Sequence, residues 1–65
     1  MKQRKYNAWK CDSNLNPIEG TDRIFLSDSK RNVIKHLAYE EGVEYKHNDV
    51  ICRCKDGSVW IVSID

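Results

Sequence analysis

Long apolar runs are missing from this sequence, and with them any expectation of a membrane-spanning helix. The basic start, Lys2, Arg4 and Lys5, is followed by no apolar segment, so it does not read as a secretory leader. The cytoplasm is the expected setting. Catalytic signatures are missing too: there is no H-E-x-x-H helix, no Gly-rich phosphate loop and no G-x-S-x-G elbow. His36 and His47 have no sequence-identifiable orienting carboxylate, and Cys11 has no activator. A chain of 65 residues also has little material from which to build a cleft. The expectation is a protein that is not an enzyme and that carries no cofactor.

Cysteine is scarce and odd in number: Cys11, Cys52 and Cys54. A secreted miniprotein of this size more often carries an even, dispersed set, so reduced thiols are expected. A cluster of the three with His36 or His47 would have the ligand types for zinc, but Cys52 and Cys54 are spaced C-x-C, without the two-residue knuckle common in zinc sites. On one strand their Cα atoms would lie about 6.7 Å apart, near the upper limit for a disulfide. No metal is expected.

What is present fits one small domain over residues 1–65, with residues 1–5 expected to be flexible. The apolar fraction is 40% and the charged fraction 32%, which argues against wholesale disorder. A chain this short buries only about 60% of the surface that its unfolded form exposes, so most of its apolar side chains are needed for the core. The net charge of +1 conceals an asymmetry: residues 1–35 hold eight basic and four acidic groups, residues 36–65 three basic and six acidic. Such a division can create a face that attracts a polyanion, or can simply be a solvated surface.

The elements follow from pattern. YNAWKCD (residues 6–12) alternates as an edge strand, with Trp9 and Cys11 on one side and Tyr6, Ala8 and Lys10 on the other. Residues 13–22 contain Pro17 and Gly20 and read as a loop in which Leu15 and Ile18 tuck back against the core. RIFLS (residues 23–27) has the β-branched and aromatic content of a second strand. Ser27, Asp28 or Ser29 can cap a helix that ends at Gly42, and Val33, Ile34, Leu37 and Ala38 fall within an arc of about 140°, a core-facing stripe. Glu40 and Glu41 would lie at its negative end, an unfavourable placement. VEYKH (residues 43–47) alternates briefly and is a less definite strand. Asp56-Gly57 then marks a C-terminal hairpin. The expected fold is α+β: a small antiparallel or mixed sheet of three to four strands packed on one helix, in the order β-β-α-β-β.

With a two-residue turn at Asp56-Gly57, Cys54 pairs with Val59, Arg53 with Trp60 and Ile51 with Val62. Val50, Cys52, Cys54, Val59 and Ile61 then face the helix, and Ile51, Arg53, Trp60 and Val62 form the opposite face. That second face is too apolar for a solvated one, and Trp and Arg concentrate energy at interfaces. It supports a protein-interaction module, a regulator or inhibitor, whose partner is another protein or a second copy of itself. The alternative is nucleic-acid binding, with Lys2, Arg4, Lys5 and Lys10 interspersed with Tyr6 and Trp9, and Arg31, Lys35 and Tyr39 as a line along the helix.

Overall fold

The computed structural model describes residues 3–46 and 50–64. Five elements appear in the expected order: β1 (Arg4–Cys11), β2 (Arg23–Ser27), α1 (Lys30–Glu41), β3 (Cys52–Arg53) and β4 (Val59–Ile64). The strands make one antiparallel sheet ordered β2-β1-β4-β3. β1 therefore lies inside the sheet, not at its edge, and β2 is an edge strand. No helix among the described residues is long and apolar enough to cross a membrane.

The helix boundaries are those that the capping residues dictate. Ser29 is extended (φ −154°, ψ 156°), and its Oγ accepts a hydrogen bond from the Asn32 N–H. At the other end Gly42 takes the left-handed conformation at φ 70°, and the N–H groups of Gly42 and Val43 donate to the carbonyls of Tyr39 and Ala38. This paired closure satisfies carbonyls that the helix leaves open. Val33, Ile34, Leu37 and Ala38 are all buried on the sheet side.

Opposite the helix, the core is built by Tyr6, Ala8, Cys52, Cys54, Trp60 and Val62, with Phe25, Val43 and Tyr45 packed at its margin. Trp60 and Val62 are therefore core residues, not members of the opposite face. The hairpin register explains the correction. Cys52 pairs with Trp60 and Arg53 with Val59, and the Cys54 N–H donates to the Ser58 carbonyl at 2.8 Å. The loop is three residues long, Lys55 to Gly57, closed by a Gly57 N–H to Cys54 carbonyl bond and by Gly57 at φ 93°. One residue of slip moves every side chain to the other face. Trp60 and Val62 thus turn inward, while Val59 and Ile61 turn away from the helix.

The remaining expectations fare unevenly. Residues 43–46 form no strand; Val43 and Tyr45 instead pack against the core, and His47 lies outside the described residues. Residues 12–20 form a self-hydrogen-bonded loop: Asp12 Oδ1 accepts from the N–H groups of Asn14 and Asn16, and Ile18 N–H donates to the Lys10 carbonyl. Leu15 does not tuck in, being 61% exposed at φ 66°. The three cysteines are buried and form no disulfide, with Cys11 on the opposite side of the sheet from Cys52 and Cys54 by strand alternation. No metal-holding cluster occurs among the described residues.

Candidate protein-binding face

α1 covers one side of the sheet. Strand alternation carries Asn7 and Trp9 of β1, Ile24 and Leu26 of β2 and Ile61 and Ser63 of β4 to the other side. The register brings them together: Asn7 lies opposite Ile24 and opposite Ser63, Lys5 opposite Leu26, and Trp9 opposite Ile61. Ile24 and Leu26 are 61% and 68% exposed, and Trp9 and Ile61 are half-buried. At one end of this face Cys11 and Val59, cross-strand neighbours, are buried beside the loop whose Pro17 bridges to Cys11. The remainder is open. Among the described residues β2 pairs only with β1, which makes it an edge strand, and its five residues include neither proline nor lysine, the usual blunting devices.

A groove of about 390 Å³ crosses this face between β1 and β2, lined by Asn7, Ala8, Trp9, Asp22 and Ile24. The β1–β2 register, continued one step, puts Asp22 opposite Trp9. The pairing is indeed prolonged by a side chain, because the Lys10 N–H donates to Thr21 Oγ1 at 2.9 Å. The side chains of Asn7, Trp9 and Asp22 make no hydrogen bond or ion pair among the described residues.

The helix-covered side is the reverse: its polar groups are paired. Trp60 Nε1–H donates to Glu41 Oε2 at 2.9 Å, and Lys10 Nζ sits 3.6 Å from that oxygen and 5.9 Å from the Trp60 ring. The Trp60 hydrogen bond, aided by Lys10, holds the Glu41 carboxyl below its ordinary value. Arg23 donates to Glu40 at 2.6 Å and stacks on Phe25 at 4.7 Å, while His36 Nε2 lies 2.7 Å from Glu40 Oε2. That pairing with Arg23 likewise depresses the Glu40 carboxyl. The two acids at the negative end of the helix are thus bound to donors from the sheet and from the helix itself, which offsets the unfavourable placement. Burial pushes the Cys54 thiol upward, the opposite of what an activated nucleophile needs.

Of the residues singled out from sequence for protein binding, Arg53 is exposed and Ile51 half-buried, whereas Trp60 and Val62 are 6% and 2% exposed beneath the helix. Lys10 and Arg23, not Arg53, flank Trp60. The nucleic-acid candidates divide. Arg4 and Lys5 are exposed at the start of β1, Lys10 is engaged with Glu41, and Arg31, Lys35 and Tyr39 are exposed on α1 away from the core. Lys2 lies outside the described residues. Ile24, Leu26 and Asp22 were missed because a β1–β2 connection of eleven residues does not by itself set a register.

No known protein-family model matches the chain, and no curated protein or solved structure is significantly similar to it.

Proposed function

We propose that this chain is a small, non-catalytic protein-binding module, acting as a regulator or inhibitor by covering a partner's surface with the side of its sheet that α1 leaves open. The observation that carries this reading is the adjacent pair Ile24 and Leu26, 61% and 68% exposed on one strand, continuous with Trp9 and Ile61. Exposed apolar surface of this kind mainly serves contact, and a tryptophan beside it is the residue type that most often anchors an interface. The contact surface therefore moves from Trp60 and Val62 to Trp9, Ile24, Leu26 and Ile61. Three cysteines outside any disulfide support a reducing, cytoplasmic setting.

Peptide-display selection on the immobilised chain tests the reading. Selected peptides should lose binding when Ile24 and Leu26 are both changed to Asp, and should keep it when Arg31 and Lys35 are both changed to Glu. Salt-sensitive binding of a single-stranded oligonucleotide that survives the β2 changes and disappears in the charge reversals would contradict it and favour nucleic-acid binding instead. Concentration-dependent sedimentation abolished by the β2 changes would identify the partner as a second copy.

A further inference from the structure

We infer that the groove between β1 and β2 is a subsite for a cationic side chain of the partner protein, arginine before lysine; this rests on the protein-binding reading of the open face. Three kinds of surface converge there. The Trp9 indole provides a π face, Ile24 an aliphatic wall, and Asp22, opposite Trp9 by register, a carboxylate with no ion pair among the described residues. Asn7 adds an amide, also unpartnered, directly across from Ile24. The acids on the helix side contrast with this: Glu40 and Glu41 are both held by cations of the chain itself. Asp22 is thus an exposed carboxylate bordered by Trp9, Ile24 and Asn7, with no counter-charge among the described residues.

An arginine satisfies all of these surfaces at once. Its planar guanidinium stacks on an aromatic ring and presents a fork to a carboxylate, while its methylene stem lies along aliphatic surface. A lysine offers a point charge without the planar stack, so it ranks second. A phosphate or other anion is repelled by Asp22. The groove, about 390 Å³, is at the small end of the roughly 300–1,000 Å³ that holds a whole small molecule, and it suits a single side chain presented by a larger partner. Leu26 and Ile61 beside it would take apolar neighbours of that arginine.

The probe is acetyl-Leu-Arg-Leu-amide, titrated into the ¹⁵N-labelled full chain alongside counterparts with citrulline or glutamate in place of arginine. Citrulline keeps the shape and removes the charge. The arginine peptide should displace the Trp9 indole resonance and the amides of Asn7 and Ile24 in the millimolar range. The citrulline and glutamate peptides should bind about tenfold more weakly or worse, the loss expected for a cation–π contact combined with a carboxylate pair. Asp22→Asn should weaken the arginine peptide severalfold, part of the way to the citrulline level because the contact with Trp9 remains, whereas Glu19→Gln, an exposed acid on the neighbouring loop, should change nothing. An unchanged thermal transition in Asp22→Asn would exclude misfolding as the cause. Equal midpoints for arginine and citrulline, an unaffected Asp22→Asn, or no displacement of the Trp9 resonance by the arginine peptide would each overturn the inference. Charge-independent displacement of Leu26 and Ile61 by all three peptides would overturn the subsite and leave the protein-binding reading intact.

Discussion

The two sides of this sheet use the same residue types for different ends. Each side has a tryptophan, branched aliphatics and carboxylates nearby. On the helix side Trp60 is 6% exposed, its N–H is bound to Glu41, and Lys10 and Arg23 approach its ring. On the open side Trp9 is half-buried, lacks a hydrogen-bond partner among the described residues, and borders the unpaired Asp22. The difference teaches that polar satisfaction, more than hydrophobicity, separates a stabilising surface from a binding one. A buried polar group left unpaired is costly, so a surface under a helix must pair its groups, while a surface awaiting a partner can leave them open.

Exchanging the roles of the two tryptophans should break this comparison most visibly. Trp60→Ala removes a packed aromatic and leaves Glu41 without its donor, and should cost about 3–5 kcal/mol. That is comparable to the whole stability expected of so short a chain, at about 0.05–0.15 kcal/mol per residue. Trp9→Ala should cost clearly less than Trp60→Ala, since Trp9 is only partly buried and gives up no hydrogen bond among the described residues. Denaturant midpoints at constant slope measure both, and equal losses would mean that the faces are not differentiated.

The turn sets which face is which, so its glycine is next in size. Gly57→Val places a β-branched side chain at φ 93° and should lower stability by about 1–3 kcal/mol. A Gly57→Val variant as stable as the parent would contradict the three-residue loop.

Smaller still is the acid response of the paired side. The Glu40, Glu41 and Asp56 carboxyls are all depressed by hydrogen bonds from Arg23, Trp60 and Ser58 respectively. A carboxyl whose pKa is lower folded than unfolded contributes stability that is fully present above its unfolded value, and loses it as pH falls through the folded one. Stability should therefore be level near neutrality and decline below about pH 4, where free carboxylates begin to protonate. Glu41→Gln should flatten part of that decline, seen in melting temperatures taken from pH 7 to pH 2.

Much of the fold was legible in local chemistry. Ser29, Gly42 and the stripe Val33, Ile34, Leu37 and Ala38 define α1 without reference to the rest of the chain. Asp56-Gly57 marked the hairpin for an equally local reason, the need for positive φ. Its register was not legible, because Asp-Gly serves both a two-residue turn and a three-residue loop ending in a left-handed glycine. The strand offered no arbitration: Val59, Trp60, Ile61 and Val62 are apolar on both parities, so the alternation that normally selects the inner face is absent. The open face depends further on β1 pairing with β2 and β4 simultaneously, long-range facts that brought Trp9, Ile24 and Ile61 together. Glu40 and Glu41 look unfavourable at the end of their own helix; besides the local His36–Glu40 pair, their partners Arg23, Lys10 and Trp60 come from the tertiary arrangement.

The central claim is that each side of the sheet carries one tryptophan and that only Trp9 is accessible. Acrylamide quenching of the single-tryptophan variants Trp9→Phe and Trp60→Phe tests it directly, provided that each retains a cooperative unfolding transition. The chain retaining Trp9 should emit at longer wavelength and be quenched several-fold more efficiently than the chain retaining Trp60, with the difference vanishing in denaturant. A shielded Trp9 together with an accessible Trp60 would restore the two-residue turn, turn β4 over, and contradict both the register and the binding face built on it.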